Sequence, residues 1–418
     1  MDIAIRKYGG SSLATDRQVA SVAEQVAQAY RKGVSLIVVV SARGKTTDRL
    51  VDSAGNLSSY PDPLEMDKLL ATGEAESAAL LAITLVQLGV PARSLSGPQA
   101  GLRADGLHGA GVVSAVDPLP LRETLGQGRV AVVAGFQALN PQGELITLGR
   151  GGSDTSAVAI AAGQGIGICE IYTDVDGVHR ADPRVVPDAP LLSWITADVM
   201  AEAAFSGAGV MHPRAVELAA AHEIDIVVRN SAGWEKQTTI VGKGRGMRDA
   251  DSMEGRAGIV AVTHEKDIAQ IIVRNGCGIA VVDALARLQI PVDSFTWWSE
   301  PADDLRISFC IPDAVLDRVL GEVTTVVSDH GGSIEARRSV AKVSIVGVGL
   351  LSRPGLTTRA LTALAQSGIT AQCASTTQAR TTYLVPRARV ESAVTVLYQQ
   401  FQLGAHDGNG TEPVLLIA

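Results

Sequence analysis

The sequence predicts an α/β protein: a mostly parallel sheet covered by helices on both faces, followed by two smaller α+β modules. Three observations carry this. Short β-rich runs alternate with helical patterns over residues 1–245, the rhythm of parallel strands joined by crossover helices. A Gly-rich, charged stretch, Gly242–Gly255, then interrupts the apolar periodicity and reads as a linker. Beyond it the pattern Gly276, Ala284, Leu285, Ile290 recurs as Gly355, Ala363, Leu364, Ile369 at a constant offset of 79, which predicts two tandem βαββαβ modules.

The first part reads as strands at Ile3–Tyr8, Ser35–Val40, Val130–Ala134, Cys169–Thr173 and Asp225–Val228. Helical patterns lie at Arg17–Arg31, Leu64–Leu88, Pro120–Leu125 and Pro213–Ala221. In the second part, each repeat continues into a strand that ends on a Pro, Arg306–Pro312 and Thr381–Pro386.

Composition narrows the class. The 418 residues suggest two or three domains, and 46% hydrophobic content is enough for sizeable cores. The 43 glycines and 4% aromatics fit an enzyme with many backbone-mediated turns. A net charge of −8 offers no nucleic-acid or anionic-membrane surface. Cys169, Cys277, Cys310 and Cys373 have neither metal-ligand spacing nor a disulfide framework, so they are expected as reduced thiols in the cytoplasm. No signal core opens the chain and no stretch reaches the roughly 20 apolar residues of a membrane span.

Four segments could carry chemistry. Lys7-Tyr8-Gly9-Gly10-Ser11-Ser12 follows the first strand, where bare glycine N–H groups beside a lysine can cradle phosphate. It is no Walker A loop, and an ordinary β–α turn explains it equally well. The segment Thr147–Ser156 (TLGRGGSDTS) surrounds Arg150 with three glycines and places Asp154 at the start of an Ala-rich helix. Glycine admits an anion to the backbone, and Arg150 can grip a carboxylate with two bonds. Tyr172–Arg184 follows a strand and carries Asp174, Asp176, His179, Arg180, Asp182 and Arg184, suited to ribose, phosphate or metal, or simply to Asx turns. Weaker are Ser41–Asp48 and Thr72-Gly73-Glu74, where Gly73 inside a helical stretch marks a break or a close approach. Val346–Ser352 approximates GxGxxG but lacks its third glycine, so no dinucleotide site is expected there.

Together, KYGGSS (7–12), GKTTD (44–48), TGE (72–74), AGFQ (134–137), TLGRGGSDTSA (147–157), TDVDGVHRADPRVVPDA (173–189) and GAGVMHPRAVELA (207–219) resemble the amino-acid-kinase superfamily, specifically the aspartate kinases. The resemblance covers nearly the whole chain. It implies a three-layer αβα kinase domain over 1–245, a linker over 246–262, and two ferredoxin-like ACT modules over 263–335 and 336–418. It also implies ATP-dependent phosphorylation of the aspartate β-carboxylate, with Mg²⁺ held mainly through the nucleotide phosphates.

The residue roles follow from the same resemblance. Lys7 would neutralise the transferring phosphoryl group beside Gly9, Gly10 and Ser11, and Asp154 would orient lysines and the metal-bound nucleotide. Arg150 would hold the substrate α-carboxylate and Glu74 its α-ammonium. Ser41, Thr47, Gly151, Gly152 and Ser153 would complete the pocket, with Thr173, Asp174, His179, Asp182 and Arg184 at the nucleotide. A homodimer or higher homo-oligomer through the ACT modules is implied.

The chemistry agrees with this inventory. An aspartate β-carboxylate, with a pKa of about 3.9, is already ionised at neutral pH and needs no general base. None of these motifs offers a His–Asp pair to act as one. Another acidic amino acid as acceptor stays open at this point, as does a non-catalytic ACT-containing regulator. The second half departs from the family: Ser294–Glu300 (SFTWWSE) stands where a Gln-Asn pair is usual, and Ser375–Thr382 (STTQARTT) where a STSEIKIS-like strand is usual. Trp297 and Trp298 are expected as interface anchors or core, and feedback by lysine and threonine as weakened or lost.

Overall fold

The segment Ile3–Tyr8, which opens on Ile3-Ala4-Ile5, forms β1, and α1 (Asp16–Arg31), β2 (Ser35–Val40), α2 (Thr46–Leu57), α3 (Pro63–Gln87) and β3 (Ala92–Leu95) follow it. Next come β4 (Leu102–Asp105), β5 (Val112–Val116), α4 (Leu119–Gly126), β6 (Val130–Ala134), β7 (Gln137–Leu139) and β8 (Leu145–Thr147). Then come α5 (Gly152–Gln164), β9 (Ile168–Thr173), β10 (Trp194–Thr196), α6 (Ala197–Phe205), α7 (Pro213–Ala221), β11 (Asp225–Asn230) and β12 (Gln237–Val241). The computed structural model describes residues 3–233, 236–242, 258–275, 277–288, 290, 292–299 and 305–404. The chain divides into two units, Met1–His179 with Leu191–Gly255 and Arg180–Pro190 with Arg256–Ala418.

In the first unit an eight-stranded sheet runs β10-β12-β11-β9-β1-β2-β6-β3. Its pairings are parallel except β11 with β12. Every residue of β6 is buried and only Ser35 of β2 is not, as strands covered on both faces require. Helix α1 starts at a full capping box between Thr15 and Gln18 and buries Val19, Val22, Ala23 and Val26 at helical spacing.

Tyr8 aligns with Val40 and Tyr172, Val40 with Ala134, and Asn230 with Thr173. The carboxyl ends of five parallel strands therefore lie along one edge, where open α/β sheets bind ligands. A smaller sheet, β5-β4-β7-β8, stands beside the main one.

Two sequence expectations change here. By length and composition α3 could cross a membrane, contrary to the reading that no stretch could. In the fold it packs against α1, α2, β3, β6 and β8, with Asp67 and Glu74 among its buried residues. Helix α2 is not among the helices read from the sequence: Leu50, Val51, Ala54 and Leu57 recur at helical spacing, but the stripe is short and none of its residues is buried.

The second unit holds β13 (Gly258–Glu265), β14 (Ile268–Arg274), α8 (Gly278–Leu288), β15 (Asp293–Ser299), β16 (Leu305–Pro312), α9 (Leu316–Asp329) and β17 (Ser333–Arg337). It continues with β18 (Val340–Val348), α10 (Pro354–Gln366), β19 (Cys373–Thr376), β20 (Arg380–Pro386) and α11 (Val390–Gln400). One sheet, β15-β16-β14-β17, is the expected βαββαβ module. The other, β13-β18-β20-β19, takes its fourth strand from ahead of the first module. Residues 258–262, expected in the linker, are thus strand, while 243–257 lie outside the described residues. The strand forms because Ile259–Val262 is apolar and β18 needs a hydrogen-bonding partner on that side.

Lys342, buried in β18, pairs with Glu265 at 2.6 Å and with Asp293 of the neighbouring sheet at 2.7 Å. Trp297 and Trp298 are 46% and 50% exposed on the edge strand β15, so the core reading fails for both. Segment 180–190 also belongs to this unit. Ala181 and Ala189 join the core of Val343 and Tyr398, and Arg180 O accepts the Val262 N–H at 2.8 Å.

Candidate active site

Lys7 is the next-to-last residue of β1, where the pleat turns its side chain toward the start of α5. Its Nζ lies 2.5 Å from Asp154 Oδ1, and both side chains are nearly buried. Two helix N-termini meet here. One is the short 3₁₀ helix Gly10–Leu13, whose N-cap, Gly9, offers no side chain. A Cβ at Gly9 would sit 3.7 Å from Lys7 Nζ, and one at Gly10 only 2.5 Å from Ala42 O. The other is α5, capped by left-handed Gly151 without a side-chain bond and carrying Asp154 in its first turn. Each helix start contributes a partial positive charge and bare N–H groups. The Lys7–Asp154 pair therefore lies between two helix starts, an arrangement suited to phosphate oxygens.

Glu74 approaches from α3. One carboxylate oxygen accepts the Ala42 N–H at 3.0 Å, while the other is buried without a partner. Burial pushes its carboxyl up to about 7, against the opposing pull of the Ala42 N–H and of Lys7. An orphaned buried carboxylate oxygen is strongly unfavourable unless a ligand donor meets it. Gly73 makes this approach possible, since a Cβ there would fall 2.8 Å from the Ala42 Cβ. Helix α3 runs unbroken through Gly73, so of the two expectations close approach is the one realised.

The remaining sequence-predicted residues fall into four groups. Ser41 Oγ and Ser153 Oγ lie 2.7 Å apart, joining the loop after β2 to α5, and Thr47 stands half-buried in the first turn of α2. Arg150 is exposed and makes no ion pair among the described residues, while Gly151 presses on the His212 side chain at 2.1 Å from its would-be Cβ. Thr173 Oγ1 donates to Asp174 at 3.0 Å at the end of β9, where Tyr172 O accepts the Gly9 N–H. His179 bridges Leu191. Asp182 and Arg184 belong to the other unit, where they pair with each other at 2.7 Å.

A family model described as the amino acid kinase family matches residues 2–230. The chain belongs to that family. A second model, described as an ACT domain, matches residues 343–401. An aspartokinase of Thermus thermophilus is 37% identical over 410 residues, which is 96% of this chain and 99% of its own. The solved aspartate kinase of Synechocystis is 33% identical, with a TM-score of 0.54 over 96% of this chain and 69% of that one. E. coli aspartokinase III in complex with aspartate and ADP shares the fold, at 20% identity and a TM-score of 0.76, over 96% of this chain and 100% of that one.

Within this amino acid kinase no group of three His, Cys, Asp or Glu side chains among the described residues could hold a metal ion. Asp154, the acidic residue in the first turn of α5, is engaged by Lys7. His212, the N-cap of α7, accepts the Arg214 N–H at 3.4 Å, and burial and then Arg214 hold its imidazole below the usual range. It is accordingly neutral packing against Gly151.

Motif reading gives no role to residues that act through shape, although Ser12 and Arg214 stand inside quoted segments. Arg214 donates to Leu148 O at 2.6 Å and to Gly111 O at 2.8 Å, bracing the Arg150 loop from below. Ser231, after β11, accepts from Ser12 at 2.9 Å and bonds Thr173 O, tying three strand ends together. Buried Asp67 receives His108 Nδ1 at 2.7 Å, a His–Asp pair that lies outside every motif. Only long-range pairing marks these residues, and a single sequence does not display it.

Proposed function

We propose that the chain transfers the γ-phosphoryl group of ATP to the β-carboxylate of L-aspartate, giving 4-phospho-L-aspartate and ADP at the start of aspartate-family amino-acid biosynthesis. The observation that carries this is the buried Lys7–Asp154 pair between two helix N-termini, with the orphaned oxygen of Glu74 nearby. The carboxylate oxygen attacks the γ-phosphorus as the bond to the ADP oxygen breaks. No proton moves, so no base is required, and catalysis is positioning and charge neutralisation. Lys7 and the Gly10 amide are assigned to the phosphates, while the Gly9 N–H is committed to Tyr172 O. Mg²⁺ on the nucleotide supplies further neutralisation.

Glu74 takes the α-ammonium and Arg150 the α-carboxylate, with Ser41, Thr47 and Gly151–Ser153 around them. Thr173, Asp174 and His179 are assigned to the nucleotide. The domain limits proposed are a kinase domain to about 245 followed by two ACT modules. The test is hydroxylamine trapping of the acyl phosphate with aspartate and with its longer and shorter analogues; product from an analogue but none from aspartate would overturn the assignment.

We assign the chain to the cytoplasm, where its four free cysteines stay reduced. It acts there as a homodimer or higher homo-oligomer paired through its ACT modules, a reading supported by exposed Ile279, Val282, Phe295, Trp297 and Trp298. Feedback by lysine and threonine is weak or absent. Trp297 supports this, because its ring covers the start of α8, 2.3 Å from a would-be Gly278 Cβ.

A further inference from the structure

Asp67 is the most deeply buried carboxylate on α3, 1% exposed, and no step of the reaction above uses it. It accepts the Gly109 N–H at 3.0 and 3.1 Å, the Thr147 hydroxyl, and His108 Nδ1 at 2.7 Å. Four bonds to one buried carboxylate are a clamp, and what it holds is specific. Thr147 ends β8 and leads directly into Leu148, Gly149 and Arg150. Its neighbour across the β7–β8 hairpin, Gln137, also binds α3, donating to Ala71 O at 3.1 Å. The loop at 108–111 lies under the Arg150 loop: Gly111 donates to Thr147 O at 2.9 Å, and a Cβ on Gly149 would meet Gly109 O at 2.9 Å.

Asp67, Ala71 and Glu74 follow one another at helical spacing, so they share one face of α3. The helix that presents Glu74 thus also anchors the root of the loop that presents Arg150. At about 1.5 Å of rise per residue, some 10 Å of rigid helix separate the two carboxylates. We propose that Asp67, with His108, is a positioning group for the amino-acid acceptor: it fixes the Arg150 loop against α3 and so sets where an α-carboxylate binds relative to the ammonium held by Glu74. Misplacing the acceptor by an ångström weakens its binding and spoils in-line attack together. Nucleotide binding depends on the β1 and β9 ends, which Asp67 does not touch.

The inference holds only if the chain phosphorylates an amino acid, and the wild-type trapping assay tests that separately. Asp67→Asn, His108→Ala, Thr147→Val and Thr147→Ser are compared in the full chain with aspartate and ATP varied independently, each rate normalised to folded protein. The expectation for the first three is an aspartate KM raised roughly tenfold with a lower kcat and an ATP KM within about twofold of wild type. Thr147→Ser, which keeps the hydroxyl, restores wild-type values. If wild type makes the acyl phosphate and Thr147→Val only lowers Tm while leaving the aspartate KM unchanged, the positioning role is wrong. Should Asp67→Asn fail to fold, the Thr147 pair decides alone.

Discussion

Glu74 binds the Ala42 N–H with one carboxylate oxygen and leaves the other buried and unmet. This arrangement stores unfavourable free energy in the ligand-free protein and releases it when an ammonium arrives. With the carboxyl pushed up to about 7, the acceptor competes with a proton. The aspartate KM is therefore expected to rise as pH falls through about 7, with the ATP KM flat; initial-rate profiles between pH 6 and pH 8.5 check this.

The same shift predicts a trade of stability for binding. Between the ordinary value of 4.5 and about 7 the folded chain keeps a proton that the unfolded chain has lost. Stability without substrate accordingly falls as pH rises across that window, by roughly 3 kcal/mol in all. Glu74→Gln removes the buried charge. It is expected to stabilise the ligand-free protein at pH 8 by about 1–3 kcal/mol in urea unfolding, while abolishing saturable aspartate binding.

Lys7→Met removes the cation between the two helix starts and leaves Asp154 buried without it. We expect kcat to fall about 10²–10³-fold. Stability should drop by about 3–5 kcal/mol, with much of that recovered in the double variant Lys7→Met, Asp154→Asn. Thermal unfolding of the two variants separates the electrostatic contribution from the catalytic one.

Gly73→Val tests the close approach of α3 to the loop after β2. A helix interior ordinarily gains about 1 kcal/mol when Gly becomes Ala, and a larger side chain loses part of that gain. Here the Cβ meets the Ala42 Cβ at 2.8 Å and the Thr46 methyl at 3.3 Å. The loop bearing Ser41 and the first turn of α2 must move, so the aspartate KM is expected to rise at least as much as stability falls. Kinetics and calorimetry on one preparation read both.

Much of the fold was legible because burial writes itself into local pattern. β6 and Leu36–Val40 of β2 are continuous apolar runs, β1 opens on Ile3-Ala4-Ile5, and Pro213–Ala221 begins at a proline suited to the first helical turn. The core of the candidate site was equally legible, since Lys7, Glu74 and Asp154 stand in glycine-marked segments, and glycine is required where backbone crowds backbone. The illegible parts are those that distant partners determine. Nothing local says that β13 pairs with β18, that 180–190 joins the second unit, or that Asp67 holds Thr147. For Trp297 and Trp298 the core alternative fails for the same reason, while the interface alternative stands untouched. Bulk suggests core, but an edge strand and the Arg306 side chain, 5.2 Å over the Trp298 ring, keep them at the surface.

The most direct measurement is hydroxylamine trapping by the full chain with ATP and Mg²⁺, comparing aspartate with glutamate and adding lysine or threonine in parallel. The account predicts aspartyl hydroxamate formed in preference to the glutamyl product by at least about 100-fold in kcat/KM, with little change at millimolar effector. Preferential trapping of glutamate, or no hydroxamate from either acid, would contradict it.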